Sequence, residues 1–222
     1  MGRQCGFEFY KLKDGKIVEA PVIKEDYDDN FCNYVYFCGR CEATDIFLEA
    51  VIQKTPHGLW YMGDYKPEEK YSVRLLMNHP ELDGFEVHKE KEDSNSPFSD
   101  WFKKFFYVGT DKFKSLFDFE KAQQDHDNAI KEAKERIHEL LMEIETIRLH
   151  QEKAKTEVAF KGFSETIKEL KEEIQSEKSF IKGMENDDYD YDHYMYIKND
   201  LELVEKLIKE DPELIVAAFA SD

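Results

Sequence analysis

The chain has 222 residues, 41% hydrophobic and 14% aromatic, enough to bury the core of one large or two small domains and too apolar for a disordered chain. Its formal net charge is −18, from 31 basic and 49 acidic residues, which argues against direct binding to nucleic-acid phosphates or anionic lipid and for a protein partner with a basic surface. No apolar run approaches the roughly 18 residues that span a bilayer, and the first residues lack the apolar core of a secretion signal, so a cytoplasmic protein with reduced thiols is expected.

Residues 1–110 read as a mixed α+β globular domain. Phe7 and Phe9 alternate with Glu8 and Tyr10, and Asp14-Gly15 is a hairpin-turn signal before Ile17-Val18. Asn33-Tyr34-Val35-Tyr36-Phe37 predicts a buried strand. Ala43, Ile46, Phe47, Ala50 and Val51 then recur at helical spacing, ending near His57-Gly58. Residues 59–62 are strand-like, residues 71–77 fit strand or helix, and residues 85–88 alternate as a strand after Asp83-Gly84. Ser96-Pro97 predicts a cap and first turn for a short helix carrying Phe98, Trp101, Phe102, Phe105 and Phe106, an aromatic stripe that would plug the domain. Gly109-Thr110 marks a stop and restart.

Residues 111–222 read as an acidic helical arm. Over residues 119–158 two apolar rows repeat every seven positions, Ile130, Ile137, Ile144, Gln151, Val158 and His126, Ala133, Leu140, Ile147, Ala154. Spacings of three and four put both rows on one helical stripe, the pattern of a coiled coil. A second stripe, Phe160, Ile167, Ile174, Ile181 with Phe163, Leu170 and Met184, is offset from the first, which predicts a helical hairpin reversing at Lys161-Gly162 with Ser164 as the next N-cap, a rod with a stutter or kink being the alternative. An acidic loop over residues 185–192, a third helix carrying Tyr194, Ile197, Leu201, Val204 and Ile208, and a last short helix over residues 213–220, started by Asp211-Pro212, complete the expectation. The arm carries 17 basic against 29 acidic residues, where residues 1–110 carry 14 against 20, so the helical half is the more acidic.

Candidate chemistry centres on the cysteines. All four, Cys5, Cys32, Cys38 and Cys41, fall in the first 41 residues. A Cys₄ zinc site is one reading, since Cys38-Gly39-Arg40-Cys41 puts two thiolates within reach of one ion and neighbouring strands could bring Cys5 and Cys32 to it. The redox pair Cys38 and Cys41 is the rival, because strand, CxxC and amphipathic helix occur in the order used by thioredoxin-like thiol oxidoreductases, where the helix N-terminus activates the first thiol. Four small buried residues without a cofactor is the third reading.

Asp188, Asp190 and Asp192 space like a calcium loop, but His193 stands where Gly is required and Asn199 where Glu is required. His126, His138 and His150 are each turned by about 120° from the last on an ideal helix and cannot converge. No nucleophile motif or Gly-rich phosphate loop is present. The expected function is therefore a non-enzymatic acidic binding protein, an adaptor or an inhibitor that covers a basic nucleic-acid-binding surface. The alternatives are the thiol oxidoreductase and a self-assembling structural coiled coil.

Overall fold

The computed structural model describes residues 3–24, 30–54, 71–88 and 102–221. The fold is α+β: a β-rich region followed by long helices that pack against each other. It divides into two compact units. The first comprises residues 1–118 with 193–222, and the second residues 119–192. This differs from the expected cut at residue 110, since the end of the chain belongs with the β-rich unit rather than the arm.

Among the described residues, the first unit is built on a seven-stranded sheet. Strand β1 (Arg3–Lys13) turns at Asp14-Gly15 into β2 (Lys16–Glu19). Both turn residues have positive φ, 53° and 75°, as the tight hairpin turns that match strand twist demand. Two short strands, β3 (Ile23–Lys24) and β4 (Phe31–Cys32), pair with each other, and β5 (Tyr34–Gly39) returns antiparallel to β1. Helix α1 (Glu42–Ile52) follows directly. Strand β6 (Tyr71–Leu76), a 3₁₀ turn at Pro80–Leu82, and strands β7 (Glu86–His88) and β8 (Phe102–Tyr107) form the far side of the sheet. The strand-like residues 59–62 lie outside the described residues.

Two expected helices are strands. The aromatic stripe read as helical ends in β8, which runs parallel to β6, while Phe98 and Trp101 lie outside the described residues. The terminal segment expected as a helix is β9 (Ile215–Ser221), seated between β1 and β6 and antiparallel to both. Ile215 through Ala218 are buried, and a short run apolar on every side fits a doubly covered strand as well as a helix. Pairing with two neighbours satisfies its backbone and decides the matter. Asn78 braces the entry: its amide donates to the Leu214 carbonyl at 2.6 Å and its oxygen accepts from the Val216 N–H at 3.0 Å.

One face of the sheet packs aromatics edge to face. Phe7 meets Phe47 of α1 at 5.7 Å between ring centres and Phe113 of α2 (Thr110–Lys114) at 6.0 Å, and Phe47 meets Phe113 at 4.9 Å. Contacts of this geometry contribute about 0.5–1.5 kcal/mol each beyond the area they bury. A second cluster joins Tyr10, Ile17, Leu76, Phe105, Ile215 and Ala217, with Leu82, Phe85 and Val87 against it.

The second unit is the helical hairpin, α3 (Phe119–Glu152) against α4 (Glu157–Asn186). Leu140, Ile144, Ile167, Leu170 and Ile174 form its core, with Ile137 and Ile147 packed beside them, so the two offset heptad rows cover each other. Helix α5 (Tyr189–Glu210) follows, and its residues from His193 onward belong to the first unit, where Ile197, Leu201 and Val204 are fully buried. The expected acidic loop over residues 185–192 is mostly helical: only Asp187 and Asp188 separate α4 from α5, and Asp188 accepts the Tyr191 N–H in the manner of an N-cap.

The reversal is earlier than expected, at residues 153–156. Helix α3 ends in tight bonds from Lys153 and Ala154 to the carbonyls of His150 and Gln151, and Thr156 then caps α4 by accepting the Ala159 N–H at 3.3 Å. Gly162 is an ordinary helical residue inside α4, and a Cβ added there would meet nothing within 4 Å. Ser164, expected as the cap, instead donates to the Phe160 carbonyl and accepts from Gln151 of α3 at 2.6 Å. Gly162→Ala is therefore expected to leave the hairpin in place and stabilise it by about 0.5–1 kcal/mol, read as a higher denaturant midpoint with an unchanged scattering profile. A lower midpoint would contradict the placement of the turn.

Candidate functional site

The four thiols occupy four different environments. All are thiols outside any disulfide: Cys5 and Cys41 are buried, Cys32 is partly covered and Cys38 is exposed. Cys5 on β1 stands opposite Phe37, and Cys38 on β5 stands opposite Gln4, so alternation along the strands turns Cys5 and Cys38 to opposite faces. Cys32 donates to the Tyr34 carbonyl at 3.2 Å. Cys41 begins α1, where the Thr44 hydroxyl accepts from its N–H at 3.0 Å and donates to its carbonyl at 2.9 Å. Among the described residues no group of three or more His, Cys, Asp or Glu could hold a metal ion, so the fold does not bring these cysteines together as a tetrahedral set. The strand, CxxC and helix order is present, but the thiol at the helix N-terminus is the second one, Cys41, and it is buried.

The strongest electrostatic feature was not legible in the sequence. On the sheet, Arg74 of β6 grips Glu8 of β1 through two bonds, Nε to Oε2 at 2.6 Å and Nη2 to Oε1 at 3.1 Å. The strand between them, β9, carries fully buried Ala217 opposite Glu8, a residue small enough to leave room above it. Lys103 of β8 adds a contact to Glu8 at 3.3 Å and donates to the Tyr10 hydroxyl at 3.0 Å, and that hydroxyl donates to Glu8. Arg74 also lies over the Phe219 ring at 5.2 Å.

Burial alone would raise the Glu8 carboxyl, but the Arg74 and Lys103 charges and their hydrogen bonds outweigh it and bring it down to about 2. Burial and the Glu8 charge push the Tyr10 hydroxyl up, and burial pulls Lys103 down. Both Glu8 oxygens are engaged by the cluster's own members, so the arrangement ties three strands together. The lone charge inside the apolar run Val73-Arg74-Leu75-Leu76-Met77 was the available sign that a buried partner had to exist. A second shifted carboxyl, Asp200 on α5, is lifted to about 6 by burial.

Within the hairpin unit, the end where α3 begins is closed by polar contacts. His126 Nδ1 lies 2.7 Å from Asp188, its ring stacks on Tyr191 at 4.1 Å, and the Tyr191 hydroxyl donates to Gln123 at 2.6 Å. The opposite end is open. Beyond the core, Val158 is 82% exposed, Leu149 54% and Phe160 51%, although the heptad count had placed Val158 on the covered stripe. The four bases Arg148, Lys153, Lys155 and Lys161 lie among them, against two acids, Glu152 and Glu157. Leu141 and Met142 are also exposed on α3. In the first unit, Phe31, Tyr34 and Tyr36 make a smaller exposed aromatic group, the two tyrosine rings 5.5 Å apart.

No protein-family model, curated protein or solved structure matches the chain. Among the described residues no helix is long and apolar enough to cross a membrane.

Proposed function

We propose that the protein is a non-enzymatic binding protein, an adaptor or inhibitor, whose helical hairpin is the docking element. The observation that carries this reading is the tip of the hairpin. The helices cover their own heptad stripes, yet Leu149, Val158 and Phe160 stay in water beyond that core, where nothing in the hairpin requires large apolar side chains. Leaving large apolar side chains in water costs solvation that a partner recovers by covering them. The charge of −18 adds long-range attraction toward basic surfaces, and acidic helix faces presenting carboxylates where phosphates would lie are suited to covering a nucleic-acid-binding groove.

The test is affinity capture with the full chain, wild type against a Leu149→Ser/Val158→Ser/Phe160→Ser variant. A discrete bound protein, a second copy of the chain included, is expected with wild type, reduced by about 10-fold or more with the variant and weakened as salt rises. The same captured set at equal yield from both proteins would count against the hairpin as docking element.

A further inference from the structure

We infer that the surface the hairpin tip fits is carried by a second copy of this chain: the basic, apolar tip of one copy, residues 148–161, docks on the acidic, tyrosine-bearing segment of the other, residues 185–192. This rests on the reading of the hairpin as a docking arm and makes the basic surface that the chain's acids attract the tip of a second copy.

The two segments are complementary in charge, and both belong to the hairpin unit. In a chain of net charge −18, residues 148–161 hold four bases and two acids, a local reversal of sign around three exposed apolar side chains. Residues 185–192 hold five acids and no base, and Tyr189 stands exposed among them. These two segments lie at opposite ends of α4, whose 30 residues separate them by about 45 Å. A tip therefore cannot reach the acidic segment of its own hairpin. Two hairpins side by side and antiparallel bring each tip to the other's acidic segment, two equal contacts related by a two-fold axis that close without leaving a sticky end.

The local pairs that already use some of these charges do not stand in the way. Lys161 meets Glu157 at 3.3 Å and Arg148 meets Glu145 at 3.3 Å, all four on exposed helix surface, where such pairs are weak and exchangeable. Asp188 is committed to His126, while Asp187 and Asp190 are exposed. An anionic lipid surface would also accept a basic apolar tip. The second copy is the better match because it supplies both acids and an aromatic ring at a fixed distance, whereas the other acids of the chain would face lipid with like charge.

Sedimentation equilibrium of the full chain, at concentrations from about 1 to 100 μM in low and high salt, tests this. A monomer–dimer equilibrium is expected, weakened about 10-fold or more by high salt. Lys153→Glu/Lys155→Glu and, separately, Asp187→Lys/Asp190→Lys are each expected to be monomeric with unchanged helix content. Mixed together they should recover a heterodimer held by one wild-type contact and one charge-reversed contact. A wild-type monomer throughout the range, or charge-swapped partners that fail to associate when mixed, overturns the inference. A monomer that sediments with anionic vesicles, or that captures another protein through its tip, also overturns the second copy as occupant while leaving the docking-arm reading standing.

Discussion

Arg74→Met is expected to lower the unfolding free energy by about 3–5 kcal/mol. The reason lies in what is left behind. Glu8 keeps its place with only 13% of its side chain exposed, loses both bonds from the guanidinium and retains only Lys103 and the Tyr10 hydroxyl. Removing both charges is different. Glu8→Leu/Arg74→Met replaces a buried pair by apolar groups of similar size and is expected to recover most of the loss, with Lys103 still 3.7 Å from Glu19.

The pH dependence separates the ion pair from simple packing. The folded-state carboxyl sits at about 2 against an ordinary value of 4.5, so its contribution is fully present above pH 4.5 and is lost as pH falls toward 2. The shift corresponds to about 3 kcal/mol. Urea midpoints for wild type and Arg74→Met should therefore converge between pH 4.5 and 2. A gap that stays constant across that range would assign the loss to packing and refute the electrostatic account.

Gly6→Ala is expected to cost about 3 kcal/mol or more, an unusually large penalty for one methyl group. Gly6 on β1 pairs with Tyr36 on β5, and the two backbones approach so closely that a Cβ would collide with the Val35 carbonyl oxygen and sit 2.7 Å from Tyr36 Cα. Both obstacles are main chain, so no rotamer change relieves them, and β5 must move away from β1. Hydrogen exchange should show the amides of β5 losing protection more than those of β9, on the other edge of β1. Gly15→Ala is the control: its φ of 75° carries the ordinary strain of a left-handed position, about 1 kcal/mol, with nothing within 4 Å to strike. Equal stability of Gly6→Ala and wild type would show that the strands separate at no cost.

The sequence carried its information unevenly. Local periodicity marked β1, the Asp14-Gly15 turn, β5, α1 and the heptad helices, because each is defined by neighbours within one or two turns of chain. The apolar runs that became β8 and β9 gave no such marker. Phe102, Phe105 and Phe106 sit at a spacing that suits a helix face, and Ile215 through Ala218 are apolar on every side, so only the strands available to pair with them settled their conformation. The reversal between α3 and α4 was misplaced for a related reason. Gly162 looked like a breaker, but an isolated Gly costs only about 1 kcal/mol in a helix, and the Thr156 cap with the packing of Ile167 and Leu170 outweighs it.

The candidate site divides the same way. Clustering of Cys5, Cys32, Cys38 and Cys41 along the chain suggested a shared centre, yet strand alternation turned Cys5 and Cys38 apart and the start of α1 buried Cys41. The exposure of Val158 and Phe160 was equally hidden, since the heptad count runs on past the point where the partner helix ends.

By itself the sequence determined the α+β class, the acidic character and the pair of self-covering helices, all of which follow from composition and short-range periodicity. The tertiary structure alone decided that the chain's last residues form an interior strand, that Glu8 and Arg74 meet across it, and that the hairpin's end is apolar and basic. The first two depend on groups far apart in sequence, up to Ser221 against Gln4 for the pairing of β9 with β1. Such contacts leave no local pattern because their energy exists only once the chain has closed on itself.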